Sequence, residues 1–157
     1  WDEILNFHNL CHLCVIERHG KNGEFAHGFI KNFNLKYGAI ASSVGHDAHN
    51  IIVVGLNEKD MKLAVELINE YQGGIVIVNK GKLISKVKLP IAGLLSEKKA
   101  CEIAEDNQLF KEKWTKSGCT LSYMGFNLLS LSVIPEIRLT NKGLINVNKM
   151  TIIPLFE

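Results

Sequence analysis

Within SSVGHDAHNIIVVG, residues 42–55, two imidazoles, a carboxylate and a carboxamide fall inside five consecutive positions: His46, Asp47, His49 and Asn50, around Ala48. Turns are ordinarily built from Gly, Asn, Asp or Ser, and turn geometry asks for no imidazole. An imidazole beside a carboxylate can fix a tautomer, carry a proton near neutral pH or ligate a divalent metal. A hydrogen-bonded structural turn is the competing reading. A complete metal centre within this chain is less favoured, because further ligands would have to arrive from elsewhere in the fold.

Other clusters are weaker. Glu17, Arg18 and His19 stand at a strand end, where an ion pair and a solvated histidine would account for them. Cys11-His12-Leu13-Cys14 has the spacing of zinc knuckles, but a second ligand pair is absent and a strand would send the two thiols to opposite faces. Gly55 and Gly73-Gly74 sit at element ends, and no phosphate-cradling glycine loop with its lysine occurs.

The elements that must position these residues follow from periodicity. Cys11 to Arg18 reads as a strand turning through Lys21-Asn22-Gly23 into a partner, Phe25 to Ile30. Ala39 to Val44 and Ile51 to Val54 read as strands joined by the His46 to Asn50 tip. Met61, Ala64, Val65 and Ile68 mark one face of a helix over Glu58 to Gln72, capped by Asn57 and stopped at Gly73. Ile75 to Val78 follows, so strand, helix and strand in sequence point to a parallel pair with a right-handed crossover. Lys82 to Leu89 completes a hairpin, and Leu89 to Gly93 is a loop. Ser96 caps a second helix, Glu97 to Lys116, whose buried face uses Ala100, Ile103, Phe110 and Trp114. Leu121 to Val133 fits strand or helix equally. Thr140 to Gly143 reads as a turn and Ile152 to Phe156 as a last strand.

The expected fold is therefore α/β or α+β: a single domain over residues 1–157, with a mixed sheet covered by two main helices. A chain of 157 residues, 46% hydrophobic and 22% charged, suits one core. Its 18 basic and 16 acidic residues are scattered, with net charge +2, so no nucleic-acid or membrane surface is indicated. Four cysteines in a chain of this size fit free thiols in a reducing cytoplasm. The first residue is Trp1, which suggests a piece of something larger.

Several segments, in order, resemble the C-terminal domain of prokaryotic adenine deaminase. They are Val15-Ile16-Glu17-Arg18-His19, then Gly38 through Gly55, then Leu89-Pro90-Ile91-Ala92-Gly93-Leu94, and Val133-Ile134-Pro135-Glu136 with Leu139-Thr140. The match runs from about Cys14 to Phe156, and its histidine stretch is the most specific part. The family more often has serine where this chain has Ala48. The resemblance implies a hydrolase of the amidohydrolase superfamily that turns adenine into hypoxanthine and ammonia. It also implies a manganese or iron centre in an N-terminal barrel, a partner domain that is not in this chain, since such a barrel needs about 250 residues.

Under that resemblance His46, Asp47, His49 and Asn50 are candidate catalytic residues, and Glu17, Arg18, His19 and Ser43 candidate substrate contacts. Adenine and the barrel are the implied partners, with assembly as a homo-oligomer, a cytoplasmic setting and a place in purine salvage. A structural or oligomerisation domain, or a free-standing purine- or metal-binding descendant, are the alternatives. By itself, the chain is expected not to deaminate adenine.

Overall fold

A computed structural model describes residues 2–156; Trp1 and Glu157, which fall within the expected domain span, lie outside the described residues. In chain order the elements are α1 (Asp2–Phe7), β1 (Leu10–Ile16), β2 (Phe25–Lys31), β3 (Ala39–Gly45), β4 (Asn50–Gly55), α2 (Glu58–Glu70), β5 (Gly74–Asn79) and β6 (Lys82–Lys88). They continue with α3 (Ala100–Lys116), α4 (Tyr123–Asn127), β7 (Ile137–Thr140), β8 (Gly143–Asn146) and β9 (Thr151–Ile153). The first six strands form one sheet in the order β2-β1-β4-β3-β5-β6, and the last three a small sheet, β7-β8-β9.

The α+β reading, with one sheet under two main helices, describes the molecule. The parallel pair does not. β4 and β5 point the same way, but β3 lies between them and pairs antiparallel with both, as do all other neighbours. The sequence pointed to a parallel pair because β4 and β5 are buried on both faces and so read as unbroken apolar runs, a pattern usual for parallel strands.

Both faces are covered, by different elements. On one, Ala39, Ala41, Ile51, Val53, Val76 and Val78 pack against Met61, Ala64 and Ile68 of α2. On the other, Leu13, Val15, Ile40, Ile52, Val54, Ile75 and Ile77 meet Phe110 and Trp114 of α3, Phe126 of α4 and Leu139 of β7. Period-2 alternation assigns each strand residue to one core or the other. Cys11 faces the second core and Cys14 the first, as a strand requires, and all four cysteines are free thiols.

The second helix is shorter than expected. It begins after Lys99, whose backbone N–H is bonded by the Glu102 carboxylate at 3.1 Å, while the Ser96 hydroxyl caps only the local turn at Lys98. Ala100 is exposed and Ile103 half-buried, so Phe110 and Trp114 carry the docking. The undecided Leu121 to Val133 segment resolves into the single turn of α4 and irregular turns after it, and the last strand is Thr151–Ile153. No described helix is long and apolar enough to cross a membrane.

Asp60 ties the start of α2 to the β5–β6 turn. Its carboxylate accepts from Asn57 Nδ2 at 3.0 Å, Lys80 N at 3.1 Å and Gly81 N at 2.7 Å, while Asn57 caps the helix. Burial alone would raise its carboxyl, but these donors outweigh it and hold the group below its ordinary range. Asp60→Ala is expected to lower the unfolding free energy by about 2–4 kcal/mol in urea titrations. A depressed carboxylate stabilises above its unfolded value, near about 4, and the contribution is lost as pH falls through the folded value. Melts of the wild type from neutral to acidic pH should show that loss, and Asp60→Ala should show less of it.

Candidate functional site

The two central strands end together, and the tip between them is residues 46–49. His49 N–H closes it onto Gly45 C=O at 2.6 Å, with His49 in the left-handed region at φ 52°. The two imidazoles lie edge to face, with centroids 5.5 Å apart. Asn50, the first residue of β4, is 5% exposed, and its Nδ2 donates to Asn141 Oδ1 at 3.1 Å. Asp47 and Ala48 are exposed.

Three remote segments hold this tip. From the loop after β1, Arg18 Nε donates to His49 C=O and its second terminal nitrogen to Ala92 C=O at 2.7 Å, latching the hairpin to the 89–95 loop. His19 Nε2 donates to Ala48 C=O at 2.7 Å, which fixes that ring's tautomer. From the segment around α4, Asn127 C=O accepts the His46 N–H at 2.8 Å, and Ser130 Oγ donates to His46 C=O at 2.8 Å. From the small sheet comes Asn141.

Ser43 and Glu17 support the same framework. Ser43 is fully buried; it accepts the Gly74 N–H at 2.8 Å and donates to Gly93 C=O at 2.6 Å. Gly93 is required at φ 74°, because a Cβ there would lie 2.8 Å from the Arg18 guanidinium carbon. The Glu17 carboxylate accepts from four backbone N–H groups: His19 at 2.5 Å, Lys21 at 3.1 Å, Gly23 at 3.3 Å and Asn22 at 3.5 Å. Burial works against ionisation, yet these bonds hold it below the ordinary carboxylate range. Arg18 and His19 thus bond the tip's backbone, while Glu17 holds the 19–23 turn and Ser43 joins Gly74 to Gly93.

The tip itself is not satisfied. Among the described residues, four buried side-chain polar atoms lack a hydrogen-bond partner, and three are here: His46 Nδ1, His49 Nδ1 and Asn50 Oδ1. Each such atom costs about 1–3 kcal/mol when left unpaired, and three of them fall within five residues. Asn127, Ser130 and Asn141 were not among the residues singled out in the sequence, which carries no signal for bonds spanning more than eighty positions. Among the described residues, no three His, Cys, Asp or Glu side chains are grouped to hold a metal ion.

Fold and tip together define an antiparallel α+β domain that presents an imidazole-bearing hairpin at one end of its sheet. A family model described as adenine deaminase C-terminal domain matches residues 3–151, and the chain belongs to that family. It is 56% identical over 158 residues to an adenine deaminase of Chelativorans sp. (strain BNC1) and 57% identical over 158 to adenine deaminase 2 of Bradyrhizobium sp. (strain ORS 278). Both comparisons cover all of this chain and 26% of the relative. An adenine deaminase of Clostridium botulinum (strain Langeland / NCTC 10281 / Type F) is 44% identical over 144 residues, covering 90% of this chain and 24% of the relative. The chain thus spans about a quarter of the length of the curated relatives it matches.

Arg18→Lys supplies one point donor in place of a fork that reaches two carbonyls. It is expected to lower stability by about 1–3 kcal/mol and to speed amide exchange at both the 45–50 and 91–95 segments, measured by hydrogen exchange with mass spectrometry. Faster exchange in only one segment would show that the latch does not couple them.

Proposed function

We propose that this chain is the C-terminal part of an adenine deaminase, which hydrolyses adenine to hypoxanthine and ammonia, and that its 46–50 tip lies at the mouth of the active site. The observation that carries this reading is the cluster of unpartnered buried atoms on His46, His49 and Asn50. Its support from outside the geometry is the adenine deaminase naming of the relatives.

Replacing an amino group by oxygen on a purine ring needs an activated water, proton delivery to the leaving amine and groups that read the ring edge. The family resemblance implies a divalent metal, manganese or iron, held by barrel residues outside this chain, which would activate the water. What this chain supplies is proton transfer and recognition. His46 and His49 bring imidazoles able to take and give a proton, and exposed Asp47 sits beside them. Asn50, with its amide nitrogen tied to Asn141, is left with a free acceptor oxygen. Arg18 and His19 act as positioning residues through their bonds to the tip's carbonyls, Glu17 and Ser43 brace the neighbouring loops, and all four remain candidates for contact with the ring. The same reading carries a cytoplasmic location, a place in purine salvage and assembly into a homo-oligomer.

The test is a chimera in which this chain replaces the matching quarter of the Chelativorans relative. His46→Gln and His49→Gln are each expected to lower kcat/KM for adenine by at least about 100-fold with the melting temperature unchanged. Unaltered turnover with altered melting or assembly would make the domain structural. The isolated chain should release no ammonia from adenine.

A further inference from the structure

The face of the sheet that carries α2 is only partly covered. The helix packs chiefly on β3, β4 and β5, and beyond it β1 and β2 are only partly covered, with Cys14 and Ile16 packed against its edge. The antiparallel register puts His12 opposite Phe29, Cys14 opposite His27 and Ile16 opposite Phe25, and all six share that face. Between these strands and the helix runs a cleft of about 500 Å³, with Glu58, Lys62 and Glu66 on the helical side. His12 Nδ1 and His27 Nε2 stand 3.0 Å apart in it, half-buried.

Two imidazole nitrogens at that separation either share one hydrogen or clasp one ion. Metal–nitrogen bonds of about 2.0–2.1 Å place adjacent ligands about 2.9 Å apart at a right angle and about 3.4 Å apart in a tetrahedron. The observed bite falls between them, so small ring rotations serve either geometry. Hard cations such as calcium and magnesium, which take oxygen ligands, do not fit this donor set.

We propose that His12 Nδ1 and His27 Nε2 bind one late first-row divalent cation, of the class of zinc, nickel and copper, with Cys14 as third ligand. Cys14 sits directly across the ladder from His27, where opposed Cβ atoms are about 4.5–5.5 Å apart. No three such side chains already converge, so the Cys14 side chain must turn about χ1 toward the pair. Burial pushes its thiol up to about 11, so it is a neutral thiol until the sulfur–metal bond forms and the proton passes to solvent. The face is open at the edge of the sheet, which gives the ion a path in.

The chain alone is the right material. Calorimetry with zinc should give one ion per chain, and His12→Gln and His27→Gln should each weaken binding at least about tenfold. The double change His46→Gln with His49→Gln should leave it in place. Loading the wild type with cobalt should produce the near-ultraviolet thiolate-to-metal absorption, lost in Cys14→Ala; this readout needs no histidine variant to fold. No heat with zinc, nickel or copper overturns the site, as does binding that survives both single histidine changes or vanishes with the loop pair. A cobalt-loaded chain without the thiolate band overturns the three-ligand assignment.

Discussion

Two-sided burial of β3 and β4 governs this molecule. Both strands sit in the middle of the six-stranded sheet, and their side chains alternate between the α2 core and the core built by α3, α4 and β7. A slip of one residue would exchange the two sets, in β3 sending Ile40 toward the face filled by Ala39 and Ala41 and the reverse. The packing density of an interior does not tolerate that exchange. Register is therefore fixed from both sides at once, and the tip joining these strands inherits a fixed position.

On that base the tip is held by its carbonyls and left unsatisfied at its side chains. Arg18, His19 and Ser130 donate to the backbone oxygens of His49, Ala48 and His46, three supports drawn from two distant parts of the chain. The imidazole Nδ1 atoms and the Asn50 oxygen find nothing. Support of this kind fixes where the tip's side chains sit without using their polar atoms. It also explains why Arg18 has carbonyl rather than carboxylate partners among its hydrogen bonds: its fork spans two loops that must stay together, the hairpin tip and the segment ending at Gly93.

The half-covered sheet adds a second kind of incompleteness. One helix of thirteen residues cannot roof six strands, and what lies beyond it on β1 and β2 is a mix of aromatic, imidazole and thiol side chains. A surface kept apart from solvent only by apolarity would carry leucine and valine there. Instead, the ladder brings His12, Cys14 and His27 side by side, donors whose chemistry is recognition of a soft or borderline cation.

Strand periodicity, the α2 stripe at Met61, Ala64 and Ile68, and the placement of His46 to Asn50 on a hairpin tip were all legible in the linear chain, because each is local and obeys the geometry of one element. The domain's family was legible for the same reason, since the motifs that carry it are contiguous. Sequence could not decide that β3 enters between β4 and β5, because a double-sided apolar run looks alike in parallel and antiparallel sheets. Nor could it decide that α3 starts at Ala100, where solvent exposure overrides an apolar spacing. What only the tertiary structure decided is partnership: that Arg18 and Ser43 serve the loop's backbone, that Asn127 and Asn141 reach it from across the fold, and that two histidines fifteen residues apart touch. Hydrogen bonds between distant segments depend on how layers stack, and stacking is a property of the whole chain that no local run of residues encodes.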